Sequence, residues 1–544
     1  MKTALRYLCV LGILSTAVAF IYNTQLKPRS FLQPTSFSPN QFDAPVFRTV
    51  IQQIDQAFHK EWTAAELTPI PRAPDLIIAR RLSLALTGTI PSMEEIRALE
   101  AQPEKDRIQW WLAHLLEDQR SSDYLAERLA RIYVGVEKGP FLVYRRRRMV
   151  DWLSNELHRN RPYDELVRNL ISAEGIWTSR PEVNFVTVTI DQNNDEEGPD
   201  EIKLAARVTR AFLGVRIDCV QCHDDMFGDR WKQKDFHQLA AYFSDAGMSL
   251  TGVRDKPTPY EYRYKGKLKP ETVPPIVPFQ PELLPNTGSL RQRLSMWVTH
   301  PENKAFARTT VNRIWALLFN KALIEPIDDI PLEGPYPPGM EILSDLLIRE
   351  KYDLQQLIRT IAATQVFQRD SRAPLDSPTL TDLHESSMAS FPLTRLRPEQ
   401  VAGSIIQATS LRTINADSHV IKRITRFFSL DEFIKRYGDI GQDEFASTGG
   451  TIPQRLVLMN GELVHERTKD NIFVNASSRI RIVSPDDATA IDTAYLTALT
   501  RHPSSEEKDY FLNRLKDKKG ESASNEMQDL FWAMINSTEF SWNH

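Results

Sequence analysis

Apolar residues recur along most of the chain at spacings of three and four, which is typical of helices with one buried face. Residues 75–86 follow this pattern and end at Thr87-Gly88. Ser92, with Glu95 three residues later, has the form of a capping box and predicts the start of the next helix. Stretches that alternate as strands do are few and short. The pattern therefore predicts a mainly α protein with few short strands.

The helical patterns are interrupted between residues 251 and 288, where eight prolines lie. Each proline lacks an amide hydrogen and restricts the conformation of the residue before it, so helices cannot persist there. Long helical patterns flank this stretch on both sides. The sequence therefore predicts two helical domains, residues 46–250 and residues 289–544, joined by a proline-rich irregular connector over residues 251–288.

The first 19 residues have the features of an export signal. Two basic residues precede an apolar run over residues 8–20, and residues 17–19 are small, as at a signal-peptidase site. If the run stays uncleaved, it is just long enough to anchor the chain in a membrane. Residues 20–45 are rich in Pro, Asn, Gln and Ser and are predicted to form a linker. We expect an exported protein, periplasmic or extracellular, that contacts a membrane only through an uncleaved N-terminal segment.

The composition is that of an ordinary globular protein. Of the 544 residues, 41% are hydrophobic and 25% are charged, which excludes wholesale disorder. The formal net charge is -4, so no general attraction to nucleic acid or to anionic membranes is expected. The sequence contains no zinc-protease, serine-hydrolase, phosphate-loop or dinucleotide motif, and no enzyme class is therefore indicated.

The most specific chemical signal is the pentapeptide Cys219-Val220-Gln221-Cys222-His223, which has the form of a c-type haem attachment site. Two thiols three residues apart can each bond one vinyl group of the porphyrin, and the following histidine can bind the iron. We therefore predict haem c on Cys219 and Cys222, with His223 as the proximal ligand. His237 and Met248 are the candidates for the sixth ligand, and an open iron site is equally compatible with the sequence.

Three other interpretations of the two cysteines stay open. They can close a structural disulfide or act as a redox dithiol, in which case His223 is incidental. They can contribute to a zinc site, which would need His237, Asp224 or Asp225 to complete it. They can also be an inert buried pair.

A second candidate for chemistry is the pair Asp328-Asp329, which lies downstream of Asn312-Arg313. Paired carboxylates can do acid and base work, but adjacent residues point to different faces. A structural salt bridge between this pair and Arg313 is the favoured interpretation.

Several long segments carry a family resemblance. In the first half they are RRLSLALTGTIPSMEEIRAL, DWLSNELHRNRPYDELVRNLISAEG and FLGVRIDCVQCHDDMFGDRWKQKDFHQLAAYF. These resemble the planctomycete-type cytochrome-c-associated domain of unknown function, over residues 75–243. In the second half RLSMWVTHPENKAFARTTVNRIWALLFNKALIEPIDDI, LRPEQVAGSII, TIPQRLVLMNG and ALTRHPSSEE are similar to the partner domain of unknown function that usually follows it.

The resemblance implies an exported two-domain protein associated with a CxxCH motif, but it implies no settled activity. Family members are commonly exported by bacteria rich in polysaccharide-degrading systems. This chain departs from the family pattern, since Asp225 replaces the usual second histidine and Met226 replaces a proline. Any metal or haem contact of that histidine is therefore lost or altered here.

The leading functional prediction is an exported redox or electron-transfer accessory protein that carries haem c. The alternative is a non-haem binding or hydrolytic module of an exported glycan-processing system, with a structural disulfide in the CxxC segment. A third interpretation makes the chain a scaffold. The expected partners are exported redox or glycan-processing proteins.

Overall fold

The computed structural model describes residues 33–135, 142–191, 198–225, 230–372, 377–414, 451–468 and 475–544. The predicted export signal and most of the predicted linker lie outside these residues, as does Met226. The described chain is mainly α, with a few short two-stranded sheets, and the predicted fold class is confirmed. None of the described helices is long and apolar enough to cross a membrane.

The CVQCH segment lies between the last two of the helices that precede the connector. The helices before the connector are α1 (Pro45–Ala64), α2 (Asp75–Thr87), α3 (Met93–Glu100), α4 (Arg107–Glu117), α5 (Gln119–Val134), α6 (Arg146–His158), α7 (Tyr163–Ser172), α8 (Asn184–Thr187), α9 (Glu201–Val208) and α10 (Gln233–Ala240). Helix α2 ends at Gly88, whose φ of 68° is left-handed, and α3 begins with the predicted capping box of Ser92 and Glu95. The local predictions for this region are therefore confirmed.

The helices that follow the connector are of similar length. They are α11 (Leu290–Val298), α12 (Lys304–Phe319), α13 (Met340–Arg349), α14 (Leu354–Ala363), α15 (Gln365–Gln368), α16 (Pro378–Ser386), α17 (Pro398–Ala408), α18 (Ile452–Asn460), α19 (Glu462–Thr468), α20 (Ala476–Val483), α21 (Asp487–Leu499), α22 (Ser505–Leu515), α23 (Glu521–Ile535) and α24 (Thr538–Ser541).

Three antiparallel pairs of strands occur in the described residues. One joins β1 (Ala246–Ser249), just before the connector, to β2 (Gly252–Asp255) inside it. Another joins β3 (Glu261–Tyr262) to β4 (Glu271–Thr272) within the connector. The third joins β5 (Thr394–Arg395) to β6 (Trp542–Asn543). The connector is thus irregular apart from its hairpins and one short 3-10 turn, Pro281–Leu283.

The buried core continues across the connector. One cluster of buried apolar side chains runs from Val50 to Phe391 and includes residues from both predicted domains. Helix α7 packs on α11, and Arg291 of α11 donates hydrogen bonds of 3.0 Å to the carbonyls of Ile171 and Ala173. The division into two domains stays a prediction about folding units, because the side chains on the two sides are in contact.

A second apolar cluster lies beside the first. It combines Leu84 and Ile90 with residues between Leu396 and Phe540. Helix α2 contributes to both clusters, since its other buried side chains, among them Ile78 and Leu82, face the first. The segment that holds the CVQCH turn therefore belongs to a large and continuous buried framework.

Candidate functional site

Helix α9 leads directly into the CVQCH segment. Its apolar stripe continues through a wider π turn, Thr209–Leu213, to Gly214. Gly214 has a φ of 59°, and a Cβ there would lie 2.6 Å from the Thr309 hydroxyl oxygen, so a side chain would not fit. The carbonyl of Gly214 accepts a 2.7 Å hydrogen bond from the amide of Ile330. The chain is therefore held on α12 and its following loop just before the motif begins.

The motif forms a 3-10 turn, Ile217–Gln221, followed by Cys222 and His223. Ile217 and Val220 are buried in the core, whereas both cysteines are exposed and carry free thiols. His223 is exposed as well. One side of the turn is thus fixed to the protein while the thiols and the imidazole face solvent, which excludes the interpretation of the cysteines as an inert buried pair.

The imidazole of His223 has a defined orientation. Its Nδ1 lies 2.7 Å from the carbonyl oxygen of Asp224. A carbonyl only accepts hydrogen bonds, so Nδ1 is the donor, and in the neutral form of the ring Nε2 keeps a lone pair. Histidines that bind metals commonly donate their other ring nitrogen to a carbonyl in this way. The donor set of two free thiols and one unprotonated Nε2 therefore fits the chemistry of c-type haem attachment.

The main chain of the turn is held from behind by two side chains of α10. The carbonyl of Gln221 lies 3.1 Å from Nε2 of His237 and accepts a 3.0 Å hydrogen bond from Nε2 of Gln233. His237 is fully buried, and its Nδ1 lies 2.9 Å from the hydroxyl of Tyr260. The middle of the motif is thus fixed by a relay from Tyr260 through His237 to Gln221.

Burial determines the protonation of this relay. It lowers the pKa of His237, against a smaller opposing effect of the Gln221 carbonyl, and it raises the pKa of Tyr260. At neutral pH His237 is therefore uncharged. Its Nε2 donates a hydrogen bond to the Gln221 carbonyl, and its Nδ1 accepts a hydrogen bond from the Tyr260 hydroxyl. In this arrangement neither nitrogen of His237 offers a lone pair to a metal. The assignment of a sixth ligand to His237 or Met248 stays a prediction. Met248 lies half-buried on β1, opposite Val253.

Two tyrosines of the proline-rich stretch cover His237. The Tyr262 ring stacks on the imidazole with 3.4 Å between ring centroids, and the Tyr264 ring approaches it edge-on at 5.7 Å. Both tyrosines are half-buried, while Tyr260 is buried. The hairpin of β3 and β4 therefore packs against the support of the CVQCH turn.

Comparison with known protein families accounts for much of the chain. Residues 53–247 match a family described as a protein of unknown function (DUF1549), and residues 290–426 match a second family with the same description (DUF1553). The chain carries a DUF1549 domain followed by a DUF1553 domain. This is the planctomycete-type pair that the sequence segments resemble, and to that extent the recognition is confirmed. No curated protein and no solved structure matches the chain.

The DUF1549 domain contains the whole CVQCH turn and the relay behind it, except for the tyrosines of the proline-rich stretch. The DUF1553 domain contributes the carboxylate of Asp328 to the ion pairs beside the turn. Asp328 pairs with Arg216 at 2.6 Å and with Arg210 at 3.3 Å, and Arg210 also pairs at 2.7 Å with Asp218, which directly precedes the motif. The Asp218 hydrogen bond is the main cause of the raised pKa of Arg210, to which Cys219 adds a smaller effect. An ion-pair network thus joins the second domain to Asp218, the residue before the first cysteine.

The salt-bridge partner predicted for the Asp328-Asp329 pair was wrong. The carboxylate of Asp328 contacts Arg210 and Arg216, whereas guanidinium hydrogen bonds of Arg313 go to the carbonyls of Ala211 and Arg210. Both arrangements attach the second domain to the end of α9. The structural interpretation of Asp328 is therefore favoured over the catalytic one.

Within the described residues, one group of three side chains could hold a metal ion by geometry, and it lies away from the motif. It consists of Glu95, His114 and Asp118. Arg120 pairs with both carboxylates, at 2.5 Å to Glu95 and 2.9 Å to Asp118, and it lowers the pKa of Glu95. The positive charge that these two carboxylates bind is thus that of the Arg120 guanidinium. At the CVQCH turn itself, no such group of three forms among the described residues, which leaves the zinc interpretation without support.

Sequence reasoning identified the motif but missed its support. His237 was a candidate ligand because of its side-chain chemistry, and Gln233 carried no signal at all. Their role is to donate to a main-chain carbonyl twelve to sixteen residues away. Only the packing of α10 on the turn reveals that role.

Proposed function

We propose that this protein is an exported redox or electron-transfer accessory protein that holds one haem c through Cys219 and Cys222, with His223 as the iron ligand. The observation that carries the proposal is the contrast between the main chain of the turn and its side chains. Its main chain is fixed to the core, while both thiols and the Nε2 lone pair of His223 face solvent.

The attachment chemistry balances with the groups present. Each thiol adds across one vinyl double bond, so that a carbon–sulfur bond forms and the thiol proton ends on the other vinyl carbon. No atom leaves, and no external oxidant or reductant is needed. Cys219 and Cys222 lie three residues apart at one short turn, so they would hold the same porphyrin through two thioether bonds. Once bound, the haem supplies one-electron transfer.

The chain's own residues would keep the thiols and the imidazole in place. His237 and Gln233 hold the Gln221 carbonyl, so the main chain between the two cysteines stays in place. The Asp224 carbonyl holds the proton of His223 at Nδ1, which directs Nε2 outwards. Preorganisation of this kind lowers the entropic cost of bringing three groups to one ligand.

The test is covalent haem on the full chain. The protein is produced with a bacterial haem-attachment system, separated on a denaturing gel and stained for haem. We expect staining, and a pyridine haemochrome spectrum typical of two thioether bonds. Replacing Cys219 or Cys222 with Ser should shift the spectrum to that of a single thioether, and replacing both should abolish the stain.

The third cysteine provides the matched control. Cys9 lies in the predicted export signal, and Cys9→Ser should not change the stain. A soluble, folded product without haem would refute the proposal. If mass spectrometry of that product showed a Cys219–Cys222 disulfide, the glycan-processing alternative would be favoured.

A further inference from the structure

The hairpin of β3 and β4 carries a strongly basic tip next to the CVQCH turn. The tip comprises residues 263–269, which read Arg-Tyr-Lys-Gly-Lys-Leu-Lys and contain no acidic residue. Its charged side chains are exposed, and Leu268 is 97% exposed. This concentration of positive charge contrasts with the net charge of -4 for the whole chain.

The base of the hairpin is anchored at the proposed haem site. The amide of Val273 donates a 2.9 Å hydrogen bond to the carbonyl of Tyr260, whose hydroxyl lies 2.9 Å from His237. The Tyr262 ring stacks on His237, which contacts the Gln221 carbonyl. Tyr264, within the tip, approaches His237 edge-on at 5.7 Å, so the tip begins at the side chain that supports the main chain of the motif.

The positive charge at the tip is largely uncompensated. Lys267 pairs with Glu271 at 2.8 Å, but both side chains are about half exposed, and ion pairs of this kind are weak. Among the described residues, no carboxylate lies within salt-bridge distance of Arg263, Lys265 or Lys269. These cations have no structural role that would explain their clustering.

We infer that this tip docks an acidic protein that exchanges electrons with the CVQCH centre. The inference rests on the proposed function for the electron exchange, but the docking does not require haem. A basic patch steers an acidic partner towards its binding site and raises the association rate at low salt. Leu268, in the middle of the cations, provides an apolar contact for a short-lived complex.

The chemistry of the tip favours a protein over a lipid surface. Surface binding to a bilayer usually needs a broad apolar face together with basic residues. This tip offers a single exposed leucine, and Glu261 and Glu271 flank it on the side nearer the protein. A small, electrostatic contact is typical of transient redox complexes.

The test uses an acidic blue-copper protein as the probe and the full chain. Binding is measured by titration calorimetry at low ionic strength, and electron transfer by stopped-flow absorbance of the haem-loaded chain. We expect Lys265→Glu with Lys269→Glu to weaken binding and to slow the second-order rate by tenfold or more. The salt dependence of the rate should become shallower.

The matched control changes the same amount of charge elsewhere. Arg147 and Arg148 of α6 are exposed, and replacing both with Glu should alter binding and rate by less than twofold. Equal binding by the hairpin variant and the parent chain would overturn the inference. So would a hairpin-dependent association with anionic phosphatidylglycerol vesicles when the blue-copper protein does not bind. Absence of haem on the gel would refute the proposed function alone, since the calorimetric result would stand.

Discussion

The CVQCH turn and the arginine pair of α2 use polar groups in opposite ways. Arg80 and Arg81 are both fully buried. Arg81 donates to the carbonyls of His544 at 2.7 Å and Arg369 at 2.6 Å, and its guanidinium lies 3.7 Å from the centre of the Phe391 ring. In this region the arginine side chains bind main-chain oxygens of segments that are distant in the sequence.

In the CVQCH turn, by contrast, the main chain is held and the motif side chains are left available. His237 and Gln233 bind the Gln221 carbonyl, while the thiols of Cys219 and Cys222 stay free and exposed. Both ring nitrogens of the buried His237 have hydrogen-bond partners, whereas Arg80 Nε and Arg81 Nη2 are buried without one. The difference indicates where a reactive site is expected: other residues hold the main chain of a motif, and the side chains of the motif itself stay unbound and exposed.

The largest expected effect is a loss of stability when the buried arginine Arg81 is replaced. Arg81→Met removes hydrogen bonds to main-chain oxygens of His544 and Phe367, which are buried, and of Arg369, which is half-buried. We expect the free energy of unfolding to fall by about 3 to 5 kcal/mol. Urea denaturation followed by circular dichroism measures it.

Two controls separate geometry from charge. Arg81→Lys keeps the charge but loses the planar fork, and it should recover less than half of the loss. Arg147→Met, on the exposed face of α6, should change stability by less than about 0.5 kcal/mol. If Arg81→Met were as stable as the parent chain, the buried arginine would not be a structural clamp.

The next effect tests the support of the turn. His237→Phe keeps an aromatic ring but removes the donor to Gln221 and the acceptor for Tyr260. We expect a loss of about 2 kcal/mol and faster closure of a Cys219–Cys222 disulfide in a glutathione buffer, because the released main chain samples disulfide geometry more often.

Tyr260→Phe removes one of these hydrogen bonds and should cost about 1 kcal/mol. Tyr264→Phe keeps the relay intact and serves as the matched control, with unchanged disulfide kinetics. If His237→Phe closed the disulfide at the parent rate, the relay would be a packing feature without influence on the motif.

A third effect, spread over several pH units, is a pH dependence of the arginine region. Burial and the charge of Arg80, opposed by Glu539, lower the pKa of His544 to about 4. The unfolded chain therefore takes up this proton at higher pH than the folded chain does. The stabilisation is fully present above the ordinary histidine pKa and is lost as the pH falls towards 4, by at most about 1.4 kcal/mol per pH unit.

His544→Gln removes this titration. Unfolding free energies measured at pH 7, 6 and 5 should fall less steeply for the variant than for the parent chain. Parallel pH profiles would show that His544 is not buried in its neutral form. They would also weaken the contrast between the two regions, since a solvated histidine beside Arg80 implies a wetter interior.

Local features of the fold were predictable from the sequence because their causes are local. The end of α2 at Gly88 and the capping box of Ser92 and Glu95 depend on residues within one helical turn. The mainly α class follows from apolar spacing, and the motif of Cys219, Cys222 and His223 is contiguous.

The tertiary structure alone decided which residues support and join these elements. His237 reaches Gln221 across 16 residues, Arg216 reaches Asp328 across 112, and Arg81 reaches His544 across 463. Partners so far apart leave no periodic trace in the sequence, because their meeting depends on how helices pack and not on the conformation of either segment. The sequence determined the elements and the chemical groups of this protein, and long-range packing decided which of those groups became structural and which stayed free to react.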